Sequence, residues 1–415
     1  MMVRGRWWRM HAGNPVLFRH SGFLGTSLFC HRTDLAVHPT FTIRIHDSLE
    51  GLSAEWPAGG PLSPAEARYH VFQTKTFLDV WRATFGRSRG ARVCLVEVRD
   101  ASGNPVIFIP LCIRASKGAK ILGFIDEGAA DYNAPILFPV PWEWSRPLAE
   151  QLWEAVVAAL PRFDVLILDK MPGDVEGLTN PLHLISDGPN DVSCHGTDLR
   201  RPWTDIQKAQ PQHKTLMRKI RNLERIAPCQ YVIASGKAER DEIVHALLKQ
   251  KQRRFVETHV PGFDAEPDKR AFFEEGTDIF AEAGMLHLSA IKVGDEIVST
   301  LWGLVHGKRY YGILMSFEAG EWAKYSVGHI VNYRTLEWLH QNGFEYMDHG
   351  IGDEPWKLDH CEITVPLSKK TGTRTWRGGL YISRMRAIER LRGTRFWQKV
   401  RPLKWTALRA IRKRA

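Results

Sequence analysis

The sequence lacks several signatures that would assign it to a common class. It has no run of eighteen apolar residues, so we expect no transmembrane helix. It also contains no Gly-x-Ser-x-Gly elbow, no Walker lysine loop and no dinucleotide fingerprint. These absences argue against serine-nucleophile hydrolases, P-loop nucleotide binding and Rossmann cofactors.

Cysteine is scarce. The six cysteines form no C-x-x-C pair and no Cys/His spacing typical of zinc. We therefore interpret them as reduced core residues of a cytosolic protein, not as disulfides or metal ligands. His349, His360 and Asp353 are near enough in sequence to suggest a metal cluster, but their spacing is unspecific, and we predict no metal.

Acidic residues are nearly absent from the C-terminal end. Residues 380–415 hold twelve Lys/Arg against Glu389 alone, whereas residues 41–379 carry a net charge of about −4. A nucleic-acid-binding domain would carry positive charge on its folded face, so binding of nucleic acid is not expected, tRNA excepted under one alternative below. The distribution indicates a tail that contacts an anionic surface or partner, such as the inner face of a membrane or a polysaccharide synthase.

At 415 residues the chain is too long for one ordinary domain. We predict a poorly ordered leader at residues 1–40, or a start codon placed too far upstream. An N-terminal domain at 41–200 and a C-terminal domain at 201–378 follow. Residues 379–415 are predicted to form a basic helical tail.

The order of predicted elements suggests the fold. In the second half, apolar periodicity predicts a strand, two helices, three antiparallel strands and then a loop, a helix and a strand. This is the order of a GNAT (acyl-CoA N-acyltransferase) fold, and the first half has a similar order. We therefore predict an α/β protein with two side-by-side GNAT-like domains, mixed and mainly antiparallel sheets, and a cleft between the domains.

The stretch Trp322–Lys357 carries the strongest indication of a site. It is predicted to form a loop, the buried helix Val327–Gln341, a strand ending at Asp348, and the Gly-rich turn HGIGDEPWK. A glycine at a buried helix N-terminus presents free N–H groups and a positive dipole end to an anion. Open α/β sheets bind ligands in loops at strand ends.

The donor loop is predicted at Tyr325, Ser326, Val327, Gly328 and His329. The backbone N–H groups of Val327, Gly328 and His329 would donate hydrogen bonds to phosphate oxygens or to a thioester carbonyl. The alternative is a helix N-terminus capped by Ser326, which needs no ligand.

The catalytic candidates are Asp348, Glu354 and Lys357. Acyl transfer to an amine needs a base for the ammonium proton and a donor for the tetrahedral oxyanion. We expect Asp348 or a neighbour to act as the base, and Lys357 to hold the oxyanion or a substrate phosphate. Alternatively, these residues form ordinary ion pairs in a solvated turn.

Two further groups are substrate-binding candidates. Asp131 and Tyr132 follow a predicted strand of the first domain and could line the cleft. Arg218 and Arg221 belong to a basic helical stripe that could bind a phosphorylated substrate. A turn with a buried tyrosine and a solvated helix face are the alternatives.

Four short segments, spread over about residues 70–360, resemble a known family. They are Phe72-Gln73 with Trp81 through Phe85-Gly86, the Asp131-Tyr132-x-x-Pro135 loop, the basic helix His213–Arg225, and Ser326-x-Gly328 with Gly350-x-Gly352-x-Glu354-x-x-Lys357. In their order and spacing the chain resembles the bacterial CelD/BcsL-like tandem-GNAT proteins, which are relatives of the FemAB-type transferases.

This resemblance implies acyl transfer from an acyl-CoA to an amine or hydroxyl, often in exopolysaccharide, cellulose or cell-envelope biosynthesis. For the FemAB relatives it implies an aminoacyl-tRNA donor. The usual acyl-CoA loop reads Gln/Arg-x-x-Gly-x-Gly/Ala, and here only Gly328 matches, since Tyr325 and Ile330 occupy the outer positions.

We therefore predict an enzyme that transfers an acetyl or acyl group, with acetyl-CoA as co-substrate, to a sugar or envelope precursor. One alternative is a FemAB-type aminoacyl transferase. The other is a non-catalytic GNAT-fold partner of a membrane polysaccharide synthase. The expected location is the cytoplasm, peripheral at the inner face of the membrane.

Overall fold

The computed structural model describes residues 39–60 and 66–392, and every structural statement below concerns these residues. The predicted leader lies outside them except for its last two positions, and the predicted tail lies outside them beyond residue 392. No described helix is long and apolar enough to cross a bilayer.

The first half contains a strand, a broken helical segment, a three-stranded meander and a helix that leads to a buried strand. Apolar spacing over Tyr69–Phe85 predicts one helix there. In the structure this helix is interrupted, because Thr74 accepts a hydrogen bond from the Phe77 N–H (3.3 Å) and starts a new helix. The elements are β1 (Thr42–His46), α1 (Lys75–Trp81), α2 (Arg87–Arg89), β2 (Arg92–Arg99), β3 (Pro105–Ser116), β4 (Ala119–Phe124), β5 (Ile136–Leu137), α3 (Arg146–Ala159) and β6 (Val165–Pro172).

A connecting region follows, in which the sequence shows few periodic elements. It holds β7 (Asp174–Val175), β8 (Leu178–Thr179), α4 (Pro181–Leu184), β9 (Gly188–Pro189), β10 (Cys194–Asp198) and α5 (Trp203–Ala209). The sequence reading missed β10 because a single short strand of mixed polarity has no detectable period.

The second half follows the predicted order closely. Its elements are α6 (His213–Glu224), β11 (Cys229–Ile233), α7 (Lys237–Glu257), α8 (Pro267–Glu282), β12 (Leu286–Val293), β13 (Glu296–His306), β14 (Arg309–Phe317), α9 (Val327–Gln341), β15 (Tyr346–Ile351), α10 (Pro355–His360), β16 (Ile363–Val365), β17 (Leu367–Thr373) and α11 (Trp376–Arg392). The strand predicted at Arg374–Trp376 is wrong, since Trp376 begins α11.

The strands form two large sheets of the same design. The first has the order β1-β2-β3-β4-β6-β17-β9, with β5 beside β3, and the second has the order β11-β12-β13-β14-β15-β10-β16. Pairing is antiparallel except at β4–β6 and β14–β15. The predicted α/β fold with mixed, mainly antiparallel sheets is confirmed.

Each sheet takes a strand from across the predicted domain boundary. β10 pairs with β15 of the second sheet, and β17 pairs with β6 of the first. The predicted division at residues 200/201 therefore does not separate the two sheets. The reason is that β10 and β17 complete sheet positions beside strands far away in the sequence.

A single apolar core cluster joins the two halves. Phe77 of α1 lies 5.5 Å from Phe272 of α8, ring centre to ring centre, and Phe273 contacts Trp302 of β13 at 5.3 Å. Burying such a side chain stabilises the fold by about 1.5–3 kcal/mol. The halves are therefore held together by a shared aromatic core as well as by exchanged strands.

Candidate functional site

The parallel strands β14 and β15 separate soon after they pair. Their register runs from Arg309 opposite Tyr346 to Tyr311 opposite Asp348, after which both strands continue without pairing to each other. A cavity of about 230 Å³ occupies the gap. We call it the inner cavity, and its lining is Lys251, Leu301, Gly312, Ile313, Met315, Asn332, Met347, His349, Ile351, Glu354, Trp356 and Lys357.

Two more cavities continue outward from this gap. A central cavity of about 520 Å³ lies between α7, the end of β14 and the start of α9. An outer cavity of about 230 Å³ lies between α6, α9 and α10. Trp356 lines all three cavities, which are together called the Trp356 groove below.

The N-terminus of α9 opens onto the central cavity without a side-chain cap. Ser326 has a left-handed backbone (φ 56°), and its side chain caps no N–H of the helix. Instead its Oγ accepts a hydrogen bond from Lys219 Nζ at 2.6 Å. Among the described residues, the N–H groups of Val327 and Gly328 have no acceptor. The alternative interpretation of a helix capped by Ser326 is therefore wrong.

Gly328 is required by its contact with the end of β14. A Cβ added to it would lie 2.8 Å from the Phe317 ring, closer than real Cβ atoms approach. The glycine therefore lets Phe317 and the first turn of α9 pack together at the cavity wall. A larger residue must displace the ring or the helix start.

Lys357 is buried beside the inner cavity. Its ammonium donates to the carbonyls of Ile351 (2.7 Å) and Gly350 (3.3 Å) and pairs with Glu354 at 3.2 Å. The Glu354 side chain is half exposed and also lines the cavity. Glu354 is thus the partner that a substrate oxygen could replace on Lys357.

Lys251 of α7 lines both the inner and the central cavity. Its ammonium has one hydrogen bond, to the Met315 carbonyl at 3.3 Å, and lies 5.7 Å from the Phe255 ring centre. Burial, together with the charge of the nearby Lys269, lowers the pKa of Lys251 to about 8. A lysine with this pKa is partly neutral near pH 7.5 and can accept a proton.

Asp348 lies behind the groove and is fully buried. One carboxylate oxygen accepts from Tyr132 Oη (2.7 Å) and Arg309 Nη2 (2.5 Å), and the other accepts from the Gly350 N–H (2.8 Å). Both carboxylate oxygens are thus occupied by protein donors, and Asp348 does not line the groove. Asp348 is therefore suited to positioning the Gly350 turn.

Tyr132 brings the first half into this cluster. Its ring stacks on His70 at 4.3 Å and lies 5.2 Å from the Arg309 guanidinium. Burial and the adjacent Asp348 raise its pKa well above the ordinary value. Tyr132 is fully buried and does not line the groove, so it joins the two sheets rather than facing solvent.

Asp131 is half-buried against the Gly350 turn. A Cβ on Gly350 would lie 2.7 Å from Asp131 Oδ2, and Gly350 has a φ of 76° that favours glycine. Burial and the charge of Asp348 raise the pKa of Asp131 to about 7. Asp131 is thus a second titratable group within reach of the Lys357 region.

Besides Asp348, Asp131 and Tyr132, three further predicted site residues lie outside the groove lining. The Tyr325 ring packs on Trp322 at 6.3 Å and under Lys324. Arg218 and Arg221 are exposed on α6. The α6 residues that line the outer cavity are Thr215, Leu216 and Lys219. The sequence predicted the loop at Tyr325 and helix α6, but it did not predict which of their side chains line the groove.

Lys251, Trp356 and Lys219 were missed. Trp356 lies inside the Gly-rich turn that the sequence singles out, so its position could have been noticed. Lys251 lies about a hundred residues away on a helix of unremarkable pattern, and no sequence signal places it here. Within the described residues no group of three His, Cys, Asp or Glu side chains could hold a metal ion.

Comparison with known proteins is consistent with this geometry. Residues 211–358, from the start of α6 to α10, match a family model described as an acetyltransferase (GNAT) domain. The chain has a tandem GNAT fold. The matched GNAT domain contains α9, both diverging strands and the Trp356 turn.

Among solved structures, the chain is similar to FemX, with 10% identity, 76% of this chain and 95% of that chain covered, and a TM-score of 0.52. A conserved protein of unknown function from Bacteroides thetaiotaomicron VPI-5482 gives 10% identity, 80% and 100% coverage, and a TM-score of 0.49. A tandem GNAT protein from the clavulanic acid biosynthesis pathway is 10% identical, with 69% of this chain and 84% of that chain covered and a TM-score of 0.40. No curated protein matches the chain.

Proposed function

We propose that the protein is an acyltransferase that binds an acyl-CoA, with acetyl-CoA as the simplest donor, in the Trp356 groove. The observation that carries the proposal is the uncapped start of α9, where two N–H groups without acceptors in the described part of the chain lie on a cavity wall. Such N–H groups and the helix dipole favour a phosphate anion. The match of residues 211–358 to an acetyltransferase domain supports the same conclusion.

The three cavities suggest how the donor lies. Pyrophosphate oxygens would bind at Val327 and Gly328, with Lys219 of the outer cavity adding positive charge. The thioester end would extend into the inner cavity, where β14 and β15 separate. The acceptor would then meet the thioester beside Lys251, Glu354 and Lys357.

The residues of the inner cavity can perform direct acyl transfer. An acceptor ammonium would be attracted to Glu354 and lose its proton to neutral Lys251. The amine nitrogen then attacks the thioester carbon, and Lys357 stabilises the oxygen that becomes negative. The carbon–sulfur bond breaks, and the thiolate takes a proton as it leaves as the CoA thiol.

In this proposal Asp348 and Asp131 act at a distance. Asp348 holds the Gly350 N–H, and the Gly350 and Ile351 carbonyls hold Lys357. Asp131 lies against the same turn and would orient the acceptor through that turn. The roles first proposed for Tyr325, Arg218 and Arg221 pass to Lys219 and Trp356, which line the groove.

For the acceptor we propose an amine or hydroxyl of a sugar or a cell-envelope or exopolysaccharide precursor. The resemblance to CelD/BcsL-like proteins suggests this class. The inner cavity supports a polar acceptor, since Asn332, Glu354 and Lys357 contribute polar atoms to its wall.

A donor and acceptor screen tests the proposal. Acetyl-CoA at a hundredfold excess over its Kd is expected to stabilise the chain by about 2.7 kcal/mol in thermal unfolding. Release of CoA thiol is then followed with a panel of amino sugars and reducing-end sugars. If acetyl-CoA gives neither stabilisation nor turnover with any acceptor, the donor assignment is wrong.

A FemAB-type aminoacyl transfer is the second candidate. It is favoured by the fold shared with FemX and by Lys214, Arg218 and Arg221, which are exposed on the helix beside the groove. Filter binding of charged tRNA at several salt concentrations distinguishes the two, since phosphate contacts give a steep salt dependence. Transfer of an aminoacyl group with no response to acetyl-CoA would establish this candidate instead.

A further inference from the structure

Helix α11 exposes large apolar side chains on the face that points away from the fold. Its inner face packs Tyr381 and Ile382 on a small cluster that includes Ile121 and Val165. On the outer face, Trp376 is 75% exposed and Leu380 is 64% exposed. Isolated exposed apolar residues are common, but a Trp and a Leu one turn apart make a continuous patch.

Exposed arginines flank this patch. At 100° per residue, Trp376, Leu380 and Ala387 lie within about 40° of one another on the helix surface. Arginines follow on both sides of that line, and they are exposed. They are Arg377 and Arg384 on one side and Arg386 and Arg390 on the other.

The neighbouring hairpin adds to the positive charge. Lys117 reaches Met385 of α11, with 3.9 Å between Nζ and Sδ, and Lys120 is exposed close by. Asp164 is the acidic side chain at the start of the helix. Its carboxylate already accepts from Thr375 Oγ1 (2.5 Å) and from the Lys120 N–H (2.8 Å).

We propose that the outer face of α11 binds the surface of an anionic lipid bilayer. The exposed Trp376 and Leu380, bordered by arginines, are side-chain types that enter a membrane interface while positive charges stay at the headgroups. The apolar side chains would enter the headgroup–acyl boundary, and the arginines and lysines would meet lipid phosphates.

Two other occupants of this face are disfavoured by charge. A second copy paired about a two-fold axis would place arginine against arginine. The sequence after α11, residues 393–415, carries eight Lys/Arg and no acidic residue, so it brings the same sign of charge. An anionic surface is the partner whose charge is complementary.

The proposal goes beyond acyl transfer and does not depend on it. The full chain is sedimented with vesicles of phosphatidylcholine, and with vesicles that also contain about 30% phosphatidylglycerol, at about 0.1 M and about 0.5 M salt. We expect at least about tenfold tighter binding to the anionic vesicles, which weakens with salt. The double variant Trp376→Ser, Leu380→Ser should lose about tenfold of that affinity.

The matched control is Ile226→Ser, which removes an exposed apolar residue (54% exposed) just after the end of α6 and should leave binding unchanged. Equal binding to both vesicle types, or no effect of the α11 double variant, overturns the proposal. It is also overturned if only a variant with Arg412, Lys413 and Arg414 changed to Ser loses binding. A dimer in light scattering that the α11 variant dissociates would assign this face to a second copy.

Discussion

The two sheets each contain one parallel strand pair, and only one of the two pairs leaves a groove. β4 and β6 pair at Ile121 and Leu122, while β14 and β15 pair over three positions. Beyond the first pair the strands stay close, since a Cβ on Gly123 would lie 2.9 Å from the Ile167 carbonyl oxygen. Beyond the second pair lies the inner cavity.

Internal side chains occupy the region next to the first pair. Lys170 donates to Asp126 at 2.6 Å, and Asn133 donates to Asp126 and Asp169, both at 3.1 Å. Helix α3 is capped by Ser145, which accepts from the Leu148 N–H, whereas α9 has no side-chain cap. We call the region beyond each parallel strand pair a junction. The same order of elements thus gives a sealed junction, filled by side chains, in the first half and an open junction, with a cavity, in the second.

The largest expected effect concerns the sealed junction. Changing Lys170 to Ala leaves the buried Asp126 carboxylate unpaired and should lower the free energy of unfolding by about 3–5 kcal/mol. Urea unfolding measures the loss. Lys369→Ala is the control, since its partner Asp191 is exposed and such a pair contributes about 0–1 kcal/mol. A similar small loss for both variants would show that Lys170 does not seal the junction.

At the open junction, Lys357→Met should act mainly on catalysis. Losing the donor for the oxyanion is expected to lower kcat by about 10²–10³-fold, while the affinity for the acyl donor changes little. Steady-state kinetics and donor titration measure the two quantities separately. Lys292→Met, which removes an exposed pair with Glu242, is the control. An unchanged kcat in Lys357→Met would show that Lys357 does not stabilise the oxyanion.

A smaller effect is expected at the start of α9. Gly328→Ala places a methyl group against Phe317 and should weaken acetyl-CoA binding by about tenfold. Calorimetric titration measures the affinity. Gly236→Ala is the control, because a Cβ there meets nothing within 4 Å. If both variants bind the donor as the native chain does, the phosphates do not bind at α9.

The last prediction concerns pH. The pKa of Lys251 is lowered to about 8 in the fold, below its ordinary value, so the folded protein disfavours the charged form. That penalty is complete below pH 8 and disappears as pH rises toward the unfolded pKa of about 10.5. Lys251→Met should therefore stabilise the chain at pH 7 by about 1 kcal/mol, with no gain near pH 11.

Lys251 should also determine how kcat depends on pH. With Lys251 as the proton acceptor, kcat rises with pH to a plateau above about pH 8. Lys251→Met should lower kcat and remove that rise, and Asp131→Asn should leave the rise in place. A rise that disappears with Asp131→Asn instead would assign the base to Asp131, whose pKa is raised to about 7.

Local pattern was sufficient for much of the second half. Val327–Gln341 was predicted with its observed bounds because its apolar spacing and the following Gly343 are local signals. The Gly350 turn and Lys357 were recognised because glycines and charged residues crowd a strand end. Asp348 was recognised as well, but as a base rather than as a buried, fully hydrogen-bonded carboxylate.

Contacts between residues that are distant in sequence could not be predicted from local pattern. β10 lies in the second sheet and β17 in the first, each across the predicted domain boundary. The partner of a strand depends on the tertiary fold and not on the sequence of the strand alone. Lys251 reaches the groove because α7 packs beside β14, and its lowered pKa follows from burial there.

The sequence by itself determined the two similar successions of helices and strands, the bounds of α9 with Gly328 in its first turn, and the basic C-terminal end, since each depends on neighbouring residues. Only the tertiary structure decided which junction is open. Whether two parallel strands separate around a cavity depends on what distant residues place between them. Lys170 and Asp126 fill the first junction, and Lys251 and Trp356 line the second.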